Sequence, residues 1–201
     1  MANWRWIVGA LAAALWLAPA AAAAEEQGTM GQAGMEAKGQ ALTNADINTL
    51  AKLHSMSETE VEAGTWIKDN ATNERVKDLA NRMIDDHKAL DGELTSFAQE
   101  RGTDLASVSK PAGAEKRTRD LEKLKTMSGA QADRRYVRMA IEGHEQALKE
   151  ARAAERSAKK SGKSELAGLY GKAAKDLGEQ IKEARSIQKD LAQRQARTPR
   201  R

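Results

Sequence analysis

The sequence predicts an all-α protein, an antiparallel four-helix bundle with one extra short helix. Three observations carry that expectation. Four long stretches repeat their apolar residues with helical period, and no stretch alternates as a strand would. Aromatic residues make up 3% of the 201, so the core must be built from Ala, Leu, Ile, Val and Met, which suit closely packed helices. Turn signals near 70 and 162 fold the four stretches into two hairpins with one longer connection between them.

The chain opens with a segment that is not part of the bundle. Residues 1–24 read as a secretory signal: Arg5 gives the positive start, Ile7 to Leu17 is uncharged, and Pro19 precedes the small residues Ala22, Ala23 and Ala24. A retained membrane anchor is the alternative, but no basic stop-transfer cluster follows, so cleavage and a periplasmic location are expected. The absence of cysteine then excludes disulfides and thiolate metal sites, leaving packing to hold the fold. Residues 25–43 carry four glycines and no apolar period, as a flexible linker does.

The bundle is expected over 44–193. Thr43 or Asn44 caps a first helix running to about 69. A second follows Ala71-Thr72-Asn73 and ends near Arg101, before Gly102. Pro111 is placed to open the short helix carrying Leu121 and Leu124. Ser128 and Gln131 have the form of a capping box for a third long helix, to about Lys160. After a turn at Gly162, Ser164 caps the last helix, to about Gln193. Residues 194–201 form a frayed basic tail in which Arg194, Arg197, Arg200 and Arg201 would suit anionic lipid or an acidic partner.

Polar residues intrude on the apolar stripes. His87 falls within the stripe Val76, Leu79, Met83, Leu90, Leu94 and Phe97, with Asp86 at its edge. His144 is central to Val137, Ala140, Ile141, Leu148 and Ala151. Glu60 and His54 flank Ile47, Leu50, Leu53, Val61, Gly64 and Ile67. Gln180 lies among Leu166, Leu169, Ala173, Leu177, Ala184 and Ile187. All three histidines are thus expected to face inward. His54 and His87 are about equally distant from the turn near 70, and His144 and Gln180 from the turn near 162. Glu60 lies about 9 Å nearer its turn, at 1.5 Å per residue.

The segments TEVEAG (59–64), RMIDDH (82–87), Asp133-Arg-Arg-Tyr136 leading to Glu142-Gly-His144, and the LxxxIxxA spacing of the last helix resemble the domain-of-unknown-function 4142 family (DUF4142). The resemblance covers about 45–190. It implies an exported protein, often labelled an outer-membrane one, with a ferritin-like bundle. The family's signature polar residues fall on Glu60, Asp86, His87, Asp133 and His144, while a further histidine of the last helix is replaced by Gln180.

Two readings of this set follow. One is a metal site on Glu60, Asp86, His87 and His144, whose donors suit iron, zinc or copper. Against a di-iron centre, the residues three before His87 and His144 are Ile84 and Ile141, so Glu-x-x-His is missing at both places. The other is a structural polar layer that fixes helix pairing, and no cofactor is then required. Nothing marks an enzyme: no nucleophile elbow and no phosphate-cradling glycine loop is present. Basic and acidic residues alternate and stacking aromatics are scarce, which argues against nucleic acid. The expected role is an exported binding or scaffolding protein, related to envelope stress by resemblance and compartment. Gly168, Gly171 and Gly178 lie opposite the core stripe of the last helix, where a second copy would have room to pack.

Overall fold

A computed structural model describes residues 40–197 of the chain. The expected signal segment, most of the expected linker, and Arg200 and Arg201 lie outside the described residues. What is described is an all-helical bundle: five α-helices and one 3-10 turn, with no strand among these residues.

Helix α1 (Asn44–Asn70) starts where its sequence satisfies the free N–H groups. Asp46 N donates to Thr43 Oγ1 at 3.2 Å, and Thr43 N donates back to Asp46 Oδ2 at 2.9 Å, closing a capping box. Lys163 Nζ donates to the same carboxylate at 2.6 Å and to Ala41 O at 3.3 Å, tying the chain's entry to the far turn. Helix α2 (Glu74–Gln99) is capped by Asn73, whose Oδ1 accepts from Arg75 N at 3.0 Å. The connection between α1 and α2 is pinned from outside: Thr72 donates to Asp133 through its N–H at 3.1 Å and its hydroxyl at 2.7 Å.

Beyond α2 the local chemistry departs from the expected pattern. A 3-10 turn at Leu105–Ser107 buries Leu105 within the long connection. Helix α3 (Ala114–Lys125) begins later than Pro111, because the chain enters it through Gly113 at φ +89°, a conformation that suits glycine. Pro111 instead closes a turn, its carbonyl accepting from Ala114 N at 3.1 Å. Helix α4 (Gly129–Lys160) follows Ser128, but the capping box with Gln131 does not form. Gly129, at φ +55°, turns the backbone away, and the Ser128 side chain makes no cap bond. Helix α5 (Ser164–Arg197) already contains Ser164, and it runs through the predicted end near 193. Buried Leu191 prolongs its apolar stripe, so Arg194 and Arg197 occupy a helical turn rather than a frayed tail.

Helix α1 packs along α2, and α4 along α5; α1 also touches α4, α2 touches α5, and α3 lies against α1 and α4. At the first seam Gly64 is required. A Cβ there would sit 2.9 Å from Ile84 Cγ1 and 3.2 Å from Ala80 O, closer than carbon atoms pack. The three glycines of α5 do not share one open face: Gly168 and Gly178 are unobstructed, whereas a Cβ at Gly171 would meet Glu155 Oε1 at 3.2 Å.

The core is divided. One apolar cluster, with Ile67, Val76, Leu79, Met83, Leu124 and Tyr136, lies toward the 71–73 turn. The other, with Leu50, Leu90, Leu94, Leu166, Tyr170 and Leu177, lies toward the 161–163 turn. Ser57, Glu60, His87, His144 and Gln180 are also buried, at levels between the two. No helix among the described residues is long and apolar enough to cross a membrane.

Candidate functional site

The centre of the buried layer is a pair of imidazoles. His87 on α2 and His144 on α4 are each 1% exposed, and their Nε2 atoms lie 3.0 Å apart. The rings are tilted by 54° with centroids 5.2 Å apart, so they meet through their edges rather than their faces. His144 Nδ1 makes a short contact with the carbonyl of Ala140, one turn earlier on its own helix. His87 Nδ1 lies 3.3 Å from Ser57 Oγ on α1.

These contacts fix the tautomers. A backbone carbonyl only accepts, so His144 Nδ1 must carry its proton and Nε2 is left bare. His87 must therefore donate through Nε2, which leaves its Nδ1 bare to accept the Ser57 hydroxyl. One directed chain results, Ser57 to His87 to His144 to Ala140, and every ring nitrogen is satisfied with both rings neutral. The pair has room for one further proton at most, since two would set N–H against N–H across 3.0 Å. Burial, and the neighbouring His144, push His87 down to about 3.

The other predicted site residues do not join this chain. Asp86 is exposed at the surface of α2, where its Oδ2 accepts from Gln180 Nε2 at 3.0 Å. That contact turns the Gln180 amide outward and leaves its Oε1 buried without a partner. His54 is not fully interior: half-buried between α1 and α2, its Nδ1 lies 2.6 Å from Asp91 Oδ1. The Asp91 carboxylate at the seam holds it at the helix boundary, short of the inward position expected of it. Asp133 is buried, but it serves the 71–73 connection.

Glu60 is buried, 8% exposed, and differs from all of these. No hydrogen bond or ion pair among the described residues reaches its carboxyl. Burial raises it above the usual carboxylate range, against the opposing pull of His144 and Arg117. Burial likewise lifts the hydroxyl of Tyr136, with Glu60 adding to the rise, and that hydroxyl has no partner. Glu60 lines a cleft of about 600 Å³ between α1, α3 and α4, whose apolar wall includes Leu53, Met56, Met139 and Ala147. Gly143 opens the α4 side; a Cβ there would meet only Glu60 Oε1, at 3.5 Å. Arg117 of α3 borders the same cleft, donating to Ser55 Oγ at 3.0 Å while its Nε is buried without a partner.

The sequence did not single out Ser57, Tyr136, Arg117 or the cleft. A signal for Ser57 was present, because it lies three residues before Glu60 and so on the same side of the helix. Arg117 carried none, since its position depends on where α3 crosses α1 and α4. As a metal centre the set is incomplete: among the described residues no three His, Cys, Asp or Glu side chains converge as an ion requires.

No curated protein and no solved structure matches the chain. Residues 31–187, which take in the whole polar layer and the cleft, match the model of a domain of unknown function, and the chain belongs to that family, DUF4142.

Proposed function

We propose that this is an exported, periplasmic binding or scaffolding protein without enzymatic activity, serving envelope stress tolerance, in which the His–His layer is structural. The observation that carries the structural part is the closed chain from Ser57 to Ala140. It satisfies both rings as neutral groups and leaves no ring nitrogen free for a ligand. Binding is assigned instead to the cleft beside it, where a buried carboxyl has no partner.

The arrangement is read as an antiparallel, ferritin-like four-helix bundle, with α3 as the extra short helix on the long connection. Polar pairs along the seams support it. From α2 to α5 they run Arg75–Asp190, Arg82–Glu183, Asp86–Gln180 and Glu93–Lys172, one number rising as the other falls. From α1 to α4, Lys52 pairs with Glu150 while Glu60 adjoins Gly143. The C-terminal arginines and the open Gly168 and Gly178 positions are the surfaces assigned to envelope or self-contact.

A metal-binding role is the rival, and one observation favours it. Two Nε2 atoms 3.0 Å apart are near the ~3.3 Å that two nitrogens at ~2.0–2.1 Å make about a tetrahedral ion. Elemental analysis of the protein purified from its native compartment separates the two readings. Metal-free protein whose His87→Ala variant melts lower supports the structural layer. Stoichiometric iron, zinc or copper that disappears in the His87→Ala/His144→Ala protein would replace it with the rival.

A further inference from the structure

We infer that the cleft between α1, α3 and α4 binds a small amphipathic organic cation, its ammonium held by Glu60 and its apolar body lying on Leu53, Met56, Met139 and Ala147. This deepens the binding role proposed above and rests on it.

Three features lead to the ligand class. The first is Glu60 itself, more than nine-tenths buried, lining the cleft and bonded to nothing among the described residues. A buried carboxyl gains most from a donor that is also a cation, because charge-assisted hydrogen bonds are roughly twice as strong as neutral ones. The second is the balance of charge around it. Lys116 and Arg135 share Asp120, at 2.6 and 2.5 Å, and Lys52 is paired with Glu150 at 3.3 Å. Of the remaining charged groups lining the cleft, two are carboxyls, Glu60 and Glu142, and one is a cation, Arg117. The third is shape and polarity: about 600 Å³ suits a ligand of drug-like size, and two methionines supply an adaptable apolar wall.

The experiment uses three molecules of one shape: 4-phenylbutylamine, 4-phenylbutyrate and 4-phenylbutanol. Each is titrated calorimetrically into the purified protein at pH 7. The amine is expected to bind at least tenfold more tightly than the acid or the alcohol. Glu60→Gln should bring it down to the level of the alcohol. Gly143→Met should abolish binding of all three, because the new side chain projects into the cleft with only Glu60 Oε1 near its Cβ. Both variants are expected to stay folded: Glu60→Gln removes an unpaired buried carboxyl, and Gly143→Met replaces a helical glycine. Circular dichroism melts check this, and a variant melting more than 5 °C lower than the parent would overturn that part of the geometry. If the acid binds as tightly as the amine, or Glu60→Gln leaves amine affinity unchanged, the cation inference is wrong. If the acid or alcohol nonetheless loses its site in Gly143→Met, the binding role survives that failure. If none of the three binds the parent protein, both are overturned.

Discussion

The polar layer and the cleft beside it are two solutions to the same physical problem, a polar group taken out of water among apolar side chains. In the layer, Ser57, His87, His144 and the Ala140 carbonyl satisfy one another, and no ring nitrogen is left over. One helical turn from Ser57, Glu60 is almost as deeply buried and consumes nothing. A closed network adds specificity to the packing and excludes other partners. An open one costs stability, and a protein retains it where something else completes it. Burial alone would not have told these two regions apart; the count of donors and acceptors does.

The comparison is broken most directly at His87. His87→Ala removes a ring and strands Ser57 and His144 Nε2, so a loss of about 3 kcal/mol is expected in urea unfolding. Replacing both histidines by Leu should cost clearly less than the sum of the single changes, since neither ring is then left unpaired. Strict additivity in that cycle would mean the rings do not interact.

Acid tests both regions at once, with opposite signs. His87 titrates at about 3 in the folded chain and near 6.5 unfolded. Below 6.5 the unfolded state takes up a proton that the native ring refuses, so stability is complete above 6.5 and falls toward pH 3. The slope is at most about 1.4 kcal/mol per pH unit, or about 2 kcal/mol between pH 6.5 and 5. Glu60 is raised in the folded state, so it favours the native state at low pH and that contribution is lost as pH rises from 4.5. The acid loss should therefore steepen in Glu60→Gln. In the double Leu variant the loss between pH 6.5 and 5 that His87 causes should disappear, which melting curves across that range would reveal.

Two glycines sharpen the contrast further. Gly64→Ala, at the closed α1–α2 seam, should destabilise by about 1–2 kcal/mol as the new methyl meets Ile84 and Ala80. Gly143→Ala, facing the cleft, should stabilise by up to about 1 kcal/mol, because a helical glycine is relieved with no clash. Equal signs for the two in denaturant titrations would contradict the geometry. The smallest effect expected is at Tyr136→Phe, a gain below about 1 kcal/mol on removing a buried hydroxyl without a partner.

Much of this fold was legible because helical period and turn chemistry are local. The connections at 71–73 and 161–163, and the inward positions of His87, His144 and Gln180, follow from spacing along single helices. Asp86 was read one position too generously. It sits at the stripe edge, where a partner on the next helix decides which way a side chain goes, and Gln180 draws it to the surface. The start of α3 was misplaced because Pro111 suggests a helix while Gly113 dictates where it begins. The partnership of His87 with His144 lay beyond sequence reasoning, since it joins residues 57 positions apart on helices with little other contact.

That last point has a mechanical consequence. On the arrangement proposed here, α1, α2, α5 and α4 touch in a ring, and α2 and α4 occupy opposite corners. Four rods joined only along the sides of a square are free to shear into a rhombus without parting at any side. A strut of fixed length across one diagonal removes that freedom, as a brace stiffens a frame. The 3.0 Å link between the two imidazoles is such a strut. Because it is a single bond between neutral rings, one proton is enough to change its character, and the lateral stiffness of the whole frame is thereby tied to two nitrogen atoms.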